Sequence, residues 1–145
     1  MASYQATARK IPSSLQVDVH SRGIHTTIDE PESLGGTNTG MNPVELVLSS
    51  LGASLQETAA RLATENKFKY EQMTVDLEGD LDAAGFVGDP DIRNGFQEIR
   101  YSLQFKTQAG QAECEKFADL VTQNCPIEGM LSHGVTVALD RIEIV

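Results

Sequence analysis

A chain of 145 residues is long enough to bury a core without disulfide staples or metal, and one domain over residues 1–145 is expected. Lys and Arg number 11 against 21 Asp and Glu, a formal charge of −10, and that field repels nucleic acid and anionic membrane rather than recruiting them as partners. No apolar run approaches the roughly 20 residues of a spanning helix, and residues 1–10 lack the apolar centre of a secretory signal, so a soluble cytoplasmic protein is expected.

From residue 15 to 28 apolar positions alternate. Leu15, Val17 and Val19 precede Ser21-Arg22-Gly23, and Ile24 and Ile28 follow it, which predicts a hairpin. Residues 29–41 carry Pro31, Gly35, Gly36, Asn38 and Gly40 with little apolar content and read as an ordered loop. Asn42-Pro43-Val44-Glu45 then opens a helix to about residue 66. Asn42 offers a capping side chain, Pro43 suits the first helical position, where its missing N–H costs nothing, and Glu45 can reach back to the cap. Apolar residues surround most of the first half of this helix, as in a buried one. Its small residues, Ser49, Ser50, Gly52, Ala53 and Ser54, leave room for another backbone.

Residues 73–77 and 99–105 alternate as two half-buried strands. The acidic stretch 79–94 between them lacks the spacing of a calcium loop and reads as solvated. A second helix spans about residues 110–124, with Cys114, Phe117, Ala118, Val121 and Cys125 on one stripe; Pro126 restarts it and Gly134 ends it. The tail predicts a last strand, with Val135, Val137 and Leu139 in one phase, Ile142 and Ile144 in the other, and a bulge near Asp140-Arg141. The order is α+β, with a mainly antiparallel sheet and two long helices.

The second helix start, Cys125-Pro126-Ile127-Glu128, repeats the design of the first with a thiol in the capping place. A cysteine there meets free backbone N–H groups and the positive end of a helix dipole, the setting of reactive cysteines. Its place on the apolar stripe is also that of a buried core cysteine. Cys114 reads as packing, and two cysteines without metal-ligand spacing are expected as free thiols. Glu45 serves either as the third residue of a capping box or as the carboxylate partner of an active-site arginine. The Gly35–Gly40 run lacks the lysine of a nucleotide loop. His20, His25 and His133 form no recognisable ligand motif, and no metal or other cofactor is expected.

Several ordered motifs together resemble one known family: Arg22-Gly23-Ile24-His25, Asp29-Glu30-Pro31, Leu34-Gly35-Gly36-Thr37-Asn38-Thr39-Gly40, Asn42-Pro43-Val44-Glu45-Leu46, Leu51-Gly52-Ala53-Ser54, Gly95-Phe96-Gln97-Glu98-Ile99-Arg100 and Cys125-Pro126-Ile127. The family is that of osmotically inducible protein C (OsmC), with the organic hydroperoxide resistance proteins (Ohr), and the resemblance runs over about residues 15–145. It implies an OsmC-like fold in an intertwined homodimer that buries the long helices, and a two-cysteine site that reduces organic hydroperoxides with thiols. The family's first, peroxidatic cysteine falls on Ser54 and its second, resolving cysteine on Cys125. A hydroxyl cannot be oxidised to sulfenic acid, so the two-cysteine cycle is broken at Ser54. The glutamate of the peroxidase branches falls on Val44, with Glu45 one residue later, and Arg22 is the candidate for the arginine that attends the thiolate.

Two function classes stay open. One is an oxidative-stress enzyme, a thiol-dependent hydroperoxide reductase weakened or silenced at Ser54, whether that serine is natural or a replacement, with an external thiol as reductant for Cys125. The other is a redox-inactive dimeric module that binds a small hydrophobic ligand at the dimer interface.

Overall fold

Positive φ at both Arg22 (54°) and Gly23 (78°) closes a two-residue turn of the type I′ kind, whose twist suits the strands it joins. In the computed structural model, which describes residues 1–145, the turn connects β2 (Val17–Ser21) to β3 (Ile24–Ile28). A further strand, β1 (Thr7–Lys10), pairs antiparallel with β2 to give the order β1-β2-β3. The alternating pattern predicted the hairpin but not β1. Thr7-Ala8-Arg9-Lys10 is exposed throughout and has no apolar phase, so backbone pairing rather than side-chain burial makes it a strand.

These strands lie in the first of two compact units, Met1–Ser49; the second is Ser50–Val145. The loop after β3 is ordered, as its turn residues imply, and its organiser is Asp29, which is 1% exposed. One carboxylate oxygen, Oδ2, accepts hydrogen bonds from the N–H and hydroxyl of Thr37 at 3.0 and 2.6 Å and from those of Thr39 at 3.2 and 2.9 Å. The Thr37 hydroxyl above all, with Thr39 adding to it, holds the Asp29 carboxyl well below the usual carboxylate range. A Cβ at Gly36 would run into the Glu30 carbonyl, which explains a glycine there.

The helix α1 (Pro43–Glu65) begins with the expected capping box. The Glu45 N–H donates to Asn42 Oδ1 at 2.8 Å, and the Asn42 N–H donates to Glu45 Oε1 at 2.9 Å. The expected all-round burial of its first half is not found within one chain. Buried residues form a single stripe, Leu51, Gly52, Leu55 and Ala59, while Val44 and Val47 stay more than a third exposed. A single chain covers only the face that its own strands and helices can reach.

In the second unit β4 (Gln72–Leu81) and β5 (Phe96–Lys106) form a two-stranded antiparallel ladder. Both strands outrun residues 73–77 and 99–105, and β4 runs on to residue 81, into the stretch 79–94 read as solvated loop. Arg100 reconciles the acidic residues with pairing: its guanidinium reaches Asp80 at 2.7 Å, Glu98 at 2.8 Å and Glu78 at 3.4 Å. Asp82 then caps the short helix α2 (Ala83–Phe86), its side chain accepting from the Ala84 N–H at 3.0 Å.

Inward residues of the ladder pack with α1 and with α3 (Gln111–Asn124) around Leu51, Leu55, Ala59, Met73, Phe117 and Val121. The rings of Phe68 and Phe117 stack with centroids 4.2 Å apart. At Gly52 an added Cβ would stand 2.9 Å from Leu77 Cδ1, so this glycine lets α1 lie close on β4.

The chain continues into α4 (Pro126–His133), ended by Gly134 at φ 80°. The expected last strand is absent. Residues 135–145 are exposed and unpaired, although their apolar alternation is that of a strand. Alternation marks which side chains could face a core, whereas a strand exists only where another backbone takes its N–H and C=O groups, and no strand of this chain does so. The bulge expected near Asp140 therefore has no ladder to sit in; the register slip lies between Asp80 and Leu81. No helix is long and apolar enough to cross a membrane.

Candidate functional site

Pro126 interrupts what would otherwise be one helix, and Cys125 stands at the joint in extended conformation (φ −77°, ψ 117°), ending α3 and capping α4. Its carbonyl accepts from the Gly129 N–H at 3.0 Å. Its thiol does not cap: no side-chain hydrogen bond reaches the first turn of α4. The thiol is a weak donor, and the side chain belongs to the apolar stripe of Phe117 and Val121, so packing decides its direction.

That direction is toward α1. Cys125 Sγ donates to Ser54 Oγ at 3.2 Å, across 71 positions of sequence. Cys125 is 3% exposed and Ser54 half-buried. The two residues expected at the heart of the site are thus brought together. Arg22 occupies the exposed β2–β3 turn and Glu45 is held in the Asn42 cap, and neither takes part in the Ser54–Cys125 hydrogen bond. Cys114 is half-buried, and both cysteines are free thiols.

One neighbour escaped the sequence reading. Burial pushes the Tyr101 phenol up from its ordinary value, and the charges of Glu128 and Cys125 add to that. Alternation along β5 signalled only that Tyr101 points inward. Tyr101 and Glu128 also line an open groove of about 400 Å³ with Leu51, Phe96, Ile99 and Leu131. Chemically, the pair offers one sulfur and one hydroxyl. A thiolate at Cys125 can attack a peroxide oxygen, but Ser54 can neither form nor resolve a sulfenic acid, so the second step needs a thiol from outside.

The chain is thus α+β with antiparallel sheets, a glycine-bearing long helix on one ladder, and a Cys-Pro joint whose thiol faces that helix. A family model described as OsmC-like protein matches residues 36–140, more than half of the chain, and the chain belongs to that family. Among solved structures it is similar to an OsmC-like protein from Mycoplasma pneumoniae, at TM-score 0.80 and 22% identity over 91% of this chain and 89% of that one. It is also similar to an organic hydroperoxide resistance protein OsmC from Legionella pneumophila, at TM-score 0.67 and 20% identity over 92% of each chain. A third, an organic hydroperoxide resistance protein from Elizabethkingia anophelis, has TM-score 0.69 and 18% identity over 92% of this chain and 90% of that one. Identities this low establish the shared fold. No curated protein matches the chain in sequence.

Proposed function

We propose that this chain carries the site of a thiol-dependent organic hydroperoxide reductase with its first sulfur replaced by a hydroxyl. It engages small hydrophobic hydroperoxides and turns them over slowly or not at all. The observation that carries this reading is the 3.2 Å contact between Cys125 Sγ and Ser54 Oγ. Two structural neighbours named as organic hydroperoxide resistance proteins support it.

In the full reaction a thiolate attacks the outer peroxide oxygen, the O–O bond breaks and the alcohol leaves, giving sulfenic acid. A second thiol then displaces water to form a disulfide, which a dithiol reduces. Ser54 supplies neither sulfur. In this reading Glu45 keeps its capping role, and Arg22 is assigned to the thiolate by family resemblance alone.

The test follows loss of cumene hydroperoxide with dithiothreitol as reductant. The chain with Ser54 is expected to show little turnover and the Ser54→Cys variant to gain it. Rapid turnover by the parent, or a folded Ser54→Cys variant without gain, overturns the reading.

The 3% exposure of Cys125 and the groove beside Tyr101 favour a second reading, a redox-inactive module that holds a small hydrophobic ligand. Alkylation of Cys125 in a Cys114→Ser background, without denaturant, separates the two: ready reaction favours the enzyme, and no reaction favours the module.

We further propose that the chain works as a homodimer in the cytoplasm. Exposed Val44 and Val47 on α1, exposed Met130 and Leu131 on α4, and the unpaired apolar alternation of residues 135–145 support a second copy as cover. Free thiols suit a reducing compartment. Light scattering should give about twice 15.7 kDa.

A further inference from the structure

The hairpin that opens the chain places three metal-ligating side chains on one face, a juxtaposition invisible in the linear spacing of its histidines. His20 and His25 are directly opposed across the β2–β3 ladder, one pair in from the turn, and Asp18 stands two residues before His20 on the same face of β2. The turn with positive φ at Arg22 and Gly23 fixes this register.

The imidazole rings stack with centroids 4.6 Å apart, and both present Nδ1 to the same carboxylate. His25 Nδ1 lies 2.9 Å from Asp18 Oδ1 and 3.0 Å from Oδ2. His20 Nδ1 lies 3.5 Å from Oδ2, is closed off from solvent, and has no hydrogen-bond partner. One ligand atom from each residue falls within 4.8 Å of the other two.

We propose that Asp18, His20 and His25 form a binding site for a divalent transition cation of the zinc type. Two imidazoles and one carboxylate are a donor set suited to Zn²⁺, with Zn–N and Zn–O bonds of about 2.0–2.2 Å. Ligands at such bonds around a tetrahedral ion stand roughly 3.4 Å apart. The carboxylate-to-imidazole spacings of 3.5 and 2.9 Å lie on either side of that value, and the two imidazole ligand atoms stand within 4.8 Å of each other. A bound cation gives the orphaned His20 Nδ1 the partner that a buried polar atom requires. Solvent reaches the open side of the cluster, leaving room for water to complete the coordination. Arg9, opposite Asp18 on β1, and Arg22 in the turn are the nearby cations; they weaken attraction for a dication without removing a ligand.

The test is calorimetric titration of the full chain with Zn²⁺, repeated on Asp18→Asn, His20→Ala and His25→Ala. One ion per chain is expected. Loss of an outer-shell partner alone costs roughly 10- to 100-fold in metal affinity, so each variant should lose at least about 10-fold. Circular dichroism checks that each variant folds, and His25→Ala alters the most exposed of the three side chains. A parallel titration with Co²⁺ should show no thiolate-to-metal charge-transfer band, which excludes Cys114 and Cys125 as the ligands. Absence of saturable Zn²⁺ binding, equal affinity in the parent and all three variants, or a thiolate band overturns the proposal.

Discussion

Leu55→Ala probes the core that holds the Ser54 segment of α1 in place. Leu55 is fully buried and packs in one cluster with Leu51, Ala59, Met73, Phe117, Val121 and Cys125. Truncation removes three buried carbons, about 2.4 kcal/mol at about 0.8 kcal/mol each. A cavity term adds to this, because Leu51 and Ala59 are fixed one turn away on the same helix and cannot close the gap. The total expected is about 3–4 kcal/mol, within the range for buried leucines. With a urea dependence of about 2 kcal/mol per molar, the unfolding midpoint should fall by roughly 1.5–2 M. Leu34→Ala removes the same atoms from a residue that is 64% exposed, and should cost less than about 1 kcal/mol. Equilibrium urea unfolding followed by circular dichroism, at fixed protein concentration, measures both. A Leu55→Ala loss below about 1 kcal/mol, or equal losses for the two leucines, would refute this account of the core.

Two further outcomes concern the Asp29 loop. Asp29 has its carboxyl lowered in the folded state, so its contribution is fully present above the unfolded value of about 3.9 and is lost as pH falls through the lower folded value. Asp29→Asn should therefore be less stable than the parent at neutral pH, with the gap shrinking by about pH 2.5; thermal unfolding at both pH values checks it, and a gap independent of pH would contradict the assignment. Gly36→Ala places a methyl against the Glu30 carbonyl, a backbone group that cannot swing aside. The Thr37 and Thr39 amides, which donate to Asp29, should then lose hydrogen-exchange protection, and unchanged protection would show that the loop tolerates the side chain.

Local chemistry was legible in the sequence wherever neighbours along the chain decide the outcome. Asn42, Pro43 and Glu45 announce the start of α1 because capping involves residues within one turn. Pro126 announces the break at Cys125 because the missing N–H acts on the helix that contains it. Alternation located β2, β3, β4 and β5, and the ordered family motifs marked Ser54 and Cys125 as a pair. Tertiary structure decided what depends on partners distant in sequence. β1 becomes a strand only through the backbone of β2, while residues 135–145 have the pattern of a strand and no backbone to pair with. The direction of the Cys125 thiol came from a stripe of packing rather than from its helix cap, and Tyr101 joined its surroundings through burial. The cluster of Asp18, His20 and His25 exists because a turn folds one histidine onto the other, which spacing alone does not reveal. Propensity and capping act over a few residues, whereas pairing, burial and the meeting of side chains are properties of the folded chain.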